Sequence, residues 1–119
     1  MTLRVLIVED ELILAMDLED ILTSAGHEVI GTAADMHQAL KIAEADRPDL
    51  ALMDMNLARG TNGLETARRL RERFDVPSLF ISGNLDAKTR EIAAAYRPVG
   101  FVPKPFSEAD VLGGISKVA

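Results

Sequence analysis

Val5-Leu6-Ile7-Val8-Glu9-Asp10 runs four successive apolar residues straight into two carboxylates. The design recurs along the chain. Leu50-Ala51-Leu52-Met53 ends on Asp54, Leu79-Phe80-Ile81 ends on Ser82, and Val99-Gly100-Phe101-Val102 leads into Pro103, Lys104 and Pro105. Strands that are apolar at successive positions have both faces covered, which marks a parallel sheet between two layers of helices. In open sheets of this kind ligands bind outside the carboxyl ends of the strands. Three acids, a hydroxyl and a lysine all fall there.

Between these runs the spacing of apolar residues is helical. Strands are expected over 4–8, 28–33, 50–54, 78–82 and 99–102, and helices over about 11–25, 35–45, 63–74, 86–96 and 107–118. Gly26 is placed to end the first helix in a left-handed conformation. Asp35 with Gln38, and Ser107 with Asp110, have the spacing of capping boxes. At 100° per residue Leu14, Ala15, Leu18, Ile21, Leu22 and Ala25 share the face of the first helix that packs on the sheet, leaving Leu12, Ile13 and Met16 outside it. Right-handed crossovers favour an α/β, flavodoxin-like, doubly wound (βα)5 fold with a five-stranded parallel sheet of order 2-1-3-4-5. That order makes the first and third strands neighbours, so Glu9, Asp10 and Asp54 meet at the topological switch point.

A chain of 119 residues with 48% hydrophobic and 27% charged residues suits one domain, expected to span residues 1–119 with no output domain among them. There is no cysteine, which excludes disulfides and thiolate metal sites. No apolar run reaches bilayer-spanning length and no secretion signal precedes the first strand, so a cytoplasmic setting without membrane contact is expected. The net charge of −6 argues against nucleic-acid binding. Arg68, Arg69, Arg71 and Arg73 are interleaved with Glu65 and Glu72 and read as a solvated helix face. His27 and His37 lie apart from the acids and read as surface residues without a role.

Three carboxylates within a few ångströms cannot all stay ionised unless a pKa rises or a cation binds. Oxygen donors without Cys or a nearby His suit a hard ion, favouring Mg²⁺ over zinc. Mg²⁺ takes one or two carboxylates and a phosphate, leaving a carboxylate to act as nucleophile toward phosphorus. Lys104 and the Ser82 hydroxyl come from the right strand ends to neutralise a phosphoryl group. Singly, each residue has an ordinary reading: Asp10 as a helix cap, Asp54 as a loop residue. The combination is what carries the chemistry.

Val8-Glu9-Asp10-Glu11, Leu52-Met53-Asp54, Phe80-Ile81-Ser82-Gly83 and Lys104-Pro105-Phe106 together resemble the signature set of a response-regulator receiver domain, over essentially the whole chain. The resemblance implies a phosphoacceptor at Asp54 and Mg²⁺ held by Asp10, Asp54 and the backbone carbonyl of Asn56, with Glu9 acting through water. It implies Ser82 as the switch hydroxyl, Phe101 as the switch aromatic and Lys104 as the phosphate-contacting lysine. It also implies a cis bond before Pro105, which would let the chain aim Lys104 into the cleft and start a helix at Ser107. The phosphodonor would be a histidine kinase or a histidine phosphotransfer protein, and the receiver would control an output domain or a downstream protein. Such a domain is a switch with self-catalysed phosphorylation and dephosphorylation rather than an enzyme acting on other molecules.

Three positions depart from the common pattern. The loop from Asp54 to Gly63 is one residue longer and has Ala58 where proline is frequent, a shape resembling receivers of antitermination and general stress regulators. Gly83 stands where alanine is common. Pro103 stands where an aliphatic residue is usual, so the last strand should lie at an edge or finish at Val102.

Other classes fit less well. A haloacid-dehalogenase-like phosphatase needs a second acid two residues after the nucleophile, and Asn56 is there. A flavodoxin-like electron carrier needs a Ser/Thr/Gly phosphate loop, whereas Glu9-Asp10-Glu11 would repel the FMN phosphate. A receiver-shaped module that is never phosphorylated would have no use for the full set of reactive groups.

Overall fold

In the computed structural model the described residues are 2–55, 57, 62–83 and 87–118, the Thr89 side chain aside. Five strands, β1 (Arg4–Val8), β2 (Glu28–Ala33), β3 (Leu50–Asp54), β4 (Ser78–Ser82) and β5 (Gly100–Pro103), form one sheet of order β2-β1-β3-β4-β5. All pairs are parallel. The helices are α1 (Leu12–Ser24), α2 (Met36–Ala45), α3 (Gly63–Phe74), α4 (Ala87–Ala94) and α5 (Glu108–Ile115). This is the fold class expected from the sequence.

The apolar runs are buried because alternate residues feed two cores. Val5, Ile7, Leu50, Leu52, Leu79 and Ile81 face one side of the sheet, where they meet α1 and α5 through Leu18, Leu22, Val111 and Ile115. Leu6, Val8, Ala51, Met53 and Phe80 face the other, against Ala39 and Ala43 of α2, Ala67 and Leu70 of α3, and Ala93 of α4. Every residue of β3 and β4 is buried, as befits interior strands with both faces covered.

Local signals behave largely as read. Gly26 has φ +91° and follows α1, whose inward face is Ala15, Leu18, Ile21 and Leu22, while Ala25 is exposed. Ser107 and Asp110 make a reciprocal capping box at α5. Asp35 caps α2 by accepting from the Gln38 N–H, and the Gln38 side chain accepts from the Ala34 N–H. Asn62 caps α3 by accepting from the Glu65 N–H at 2.7 Å.

The differences lie at element ends. β5 begins at Gly100 and includes Pro103. It is an edge strand, and the N–H that holds its end to β4 is that of Lys104, which donates to the Ser82 carbonyl at 3.0 Å. The link to β4 at this point thus comes from the residue after the proline, which has a donor to give. α5 ends at Ile115 and tightens into a 3₁₀ turn over Ser116–Val118. α4 covers Ala87–Ala94, with Asp86 outside the described residues. His27 is half-buried, and its Nδ1 accepts the Leu3 N–H at 3.0 Å, a structural contact joining the turn after α1 to the start of β1.

Candidate functional site

The carboxyl ends of β1, β3, β4 and β5 converge at one edge of the sheet. Glu9 follows β1 directly, and its N–H donates to the Ala33 carbonyl, which fixes the end of that strand against β2. Asp54 is the last residue of β3, in register with Ile81, so Ser82 stands one residue further along the neighbouring strand. Lys104 leaves β5 held to the Ser82 carbonyl, and the peptide bond from Lys104 to Pro105 is cis.

Glu9, Asp10 and Asp54 bring one carboxylate oxygen each to within 4.8 Å of one another. Glu9 and Asp54 are buried, each 3% exposed, and Asp10 is exposed. The Lys104 ammonium lies 3.1 Å from Glu9 Oε2 and 3.3 Å from Asp54 Oδ1. Ser82 is buried beside them. The structure thus gathers five of the side chains singled out in the sequence. Asn56 lies outside the described residues, as does the Ala58 stretch of the loop. Phe101 lies further back on β5, its ring stacked on Phe80.

Glu9 does two jobs at once. Its Oε1 accepts the Glu11 N–H at 3.1 Å, supporting the start of α1, where the Glu11 side chain makes no cap. Its Oε2 is buried, with no partner in good hydrogen-bond geometry, and faces the Lys104 ammonium. Burial is the largest influence on Glu9 and pushes its pKa up; the Glu11 N–H opposes this, the Asp54 charge adds to it, and Lys104 opposes it, leaving a value of about 7. Burial pulls the Lys104 ammonium down, but the Glu9 hydrogen-bonding contact and the charges of Asp54 and Glu9 outweigh it and raise its pKa.

A buried acid whose pKa is raised on folding opposes folding when it is ionised. The cost is absent below the unfolded value near 4.5, grows up to about pH 7, and is complete above that. Glu9→Gln should therefore stabilise the protein by about 1–2 kcal/mol at pH 8 in a chelator, and far less at pH 4.5. Urea denaturation at the two pH values measures this. An equal gain at both would mean the effect is not electrostatic.

The donor set fits a hard divalent cation. The cluster offers oxygen ligands alone, it carries excess negative charge, and one buried oxygen has no partner in good hydrogen-bond geometry. Gly63, the first residue of α3, closes the back of the site: its N–H donates to the Met55 carbonyl at 2.9 Å, and a Cβ there would stand 2.1 Å from the Asp54 carbonyl oxygen.

Comparison with known proteins agrees with this geometry. A family model described as the response regulator receiver domain matches residues 5–116. The chain is 40% identical over 120 residues to the phyllosphere-induced regulator PhyR of Methylorubrum extorquens, covering 98% of this chain and 43% of that protein. It is 32% identical over 112 residues to the transcriptional regulatory protein PdtaR of Mycobacterium tuberculosis, covering 94% and 54%. The chain thus spans about half the length of these curated relatives. Among solved structures, the receiver domain of the PhyR response regulator from Erythrobacter litoralis aligns with a TM-score of 0.84 at 36% identity, covering 98% of this chain and 89% of that one. The signal receiver domain of a modulated diguanylate cyclase from Desulfovibrio desulfuricans aligns at 0.89 with 33% identity, covering 99% and 94%.

Proposed function

The chain belongs to the response regulator receiver domain family of two-component signalling, and on that premise we propose that it takes a phosphoryl group onto Asp54 and passes the change to a partner. The observation that carries this is the Lys104 ammonium 3.3 Å from a buried Asp54 carboxylate, flanked by Glu9 and Asp10 at the strand ends. Asp54 Oδ attacks the phosphorus of a phosphohistidine. The P–N bond breaks as the P–O bond forms, and the leaving imidazole nitrogen takes up a proton. Lys104 holds one phosphoryl oxygen and the Ser82 hydroxyl donates to another. Asp10, Asp54 and the Asn56 backbone carbonyl would hold Mg²⁺, with Glu9 acting through water. When bound, Mg²⁺ offsets the repulsion among the acids and shields the incoming phosphate. Hydrolysis of the acyl phosphate returns the resting state, so the domain is a self-resetting switch and not an enzyme acting on other molecules. The Ser82 hydroxyl and the Phe101 ring form the moving pair.

The donor is a histidine kinase or phosphotransfer protein in the cytoplasm, and the receiver controls an output domain or a downstream protein. Nothing in the acidic surface favours nucleic acid. Among the described residues no helix is long and apolar enough to cross a membrane. Acetyl phosphate with Mg²⁺ tests the central step: intact mass should show one added phosphoryl group, and none with the metal chelated.

The start of α1 is the surface for the donor. Leu12, Ile13 and Met16 are 73%, 81% and 60% exposed and begin two residues after Asp10. Met16→Glu should slow transfer from the cognate histidine protein at least several-fold and leave acetyl phosphate labelling unchanged. Equal loss of both would point to misfolding.

A further inference from the structure

α4 is weakly rooted in the core. Ala93 is its one buried apolar residue among those described, and Ile92 is 47% exposed. Low apolar burial leaves an element with low local stability. Two guanidinium groups add to its attachment. In the turn that follows the helix, Arg71 of α3 donates to the carbonyl of Arg97 at 2.8 Å. In its middle, the Arg90 guanidinium carbon stands 5.1 Å from the centroid of the Phe101 ring.

Phe101 is therefore held from two sides. Its inner neighbour is the fully buried Phe80, its register partner on β4, with ring centroids 5.8 Å apart and planes 19° apart. Its outer neighbour is Arg90. Three residues further on, just past the end of β5, Lys104 contacts Asp54. A phosphoryl group on Asp54 would add negative charge beside that ammonium and pull on the end of the strand that bears the ring.

We propose that Arg90 is a positioning residue of the switch: its cation–π contact holds Phe101, and α4 with it, in the resting arrangement, and phosphorylation must break that contact. The proposal rests on the reading of Ser82 and Phe101 as the moving pair. Arg90 is exposed, so the contact is of the weak, solvated kind. A weak latch biases an equilibrium without locking it, and removing it shifts the population toward the activated arrangement.

Beryllofluoride with Mg²⁺, standing in for the phosphoryl group on Asp54, provides the test. Tyr96 is the sole tyrosine in a chain without tryptophan, and it follows the end of α4, so its emission reports on this region. Binding is read from that emission and from the rise in melting temperature. Arg90→Ala should bind beryllofluoride about two- to five-fold more tightly than wild type, with Arg90→Lys between them. Amide exchange over residues 87–94 should be faster than wild type in free Arg90→Ala and the same as wild type when beryllofluoride is bound. A merely structural role would speed exchange in both states and would not tighten binding. Equal or weaker binding by Arg90→Ala, with exchange in the core strands unchanged, would overturn the latch while leaving Asp54 as acceptor. Failure of wild type itself to bind beryllofluoride would overturn the phosphoacceptor reading, and the latch with it.

Discussion

Asp54→Ala is expected to take up no phosphoryl group from acetyl phosphate and Mg²⁺, under conditions in which the wild-type protein takes up one. The other two acids of the cluster are poor substitutes. Glu9 is buried with a pKa pushed up to about 7, and one of its oxygens already accepts the Glu11 N–H. A carboxyl group that is partly protonated at neutral pH is a weak nucleophile. Asp10 is exposed, and no ion pair with Lys104 is found for it among the described residues. Asp54 combines burial, the contact to Lys104 and the neighbouring Ser82. The substitution also removes a like charge beside Glu9, so the fold should survive and a negative result would be interpretable. Intact-mass measurement of both proteins gives the answer, and equal labelling would dismiss Asp54.

Gly63→Ala should be the most damaging of the small substitutions. The added Cβ would stand 2.1 Å from the Asp54 carbonyl oxygen and 2.7 Å from the Met55 Cα, and both are main-chain atoms at the end of an interior strand. Neither can rotate away as a side chain would. Overpacking of this kind costs typically 1–3 kcal/mol, and an immovable neighbour puts this case at about 3 kcal/mol or more. For a domain of this size the melting temperature should fall by roughly 10 °C. The strand end that would shift carries Asp54, so labelling by acetyl phosphate should slow in whatever protein remains folded. Gly113→Ala is the control, because nothing lies within 4 Å of the Cβ it would add. There the change should be neutral or stabilising, since alanine favours a helix more than glycine; a loss at Gly113 as large as that at Gly63 would show that the contact with Asp54 is not responsible.

The strands were legible because they bury residues on both faces, which leaves an unbroken apolar run in the sequence. Their order followed from handedness, and with it the meeting of Glu9, Asp10, Asp54, Ser82 and Lys104. What escaped was of two kinds. Asp75 and Arg97 take left-handed conformations, with φ of 54° and 50°, where no glycine signals the turn. Longer-range polar contacts leave no periodic trace either. Arg68 and Arg69 do pair with Glu65 and Glu72 on a solvated face, as the interleaving implied. Their neighbour Arg71 instead reaches across to Arg97, and Arg47 donates to the carbonyls of Phe74 and Asp75. A basic side chain looks the same in sequence whether it points to water or caps another element's carbonyls. The placement of Arg90 over Phe101 is hidden for the same reason.

The two cores on opposite sides of the sheet have a consequence for traffic. α1 packs on one side and α4 on the other, with the wall of β1, β3 and β4 between them. The donor surface proposed at Leu12, Ile13 and Met16 therefore belongs to a helix on the other side of the sheet from α4. Delivery and readout thus need not compete for space. On the proposed docking, a partner that reads α4 would meet the opposite face of the sheet from the one that delivers the phosphoryl group.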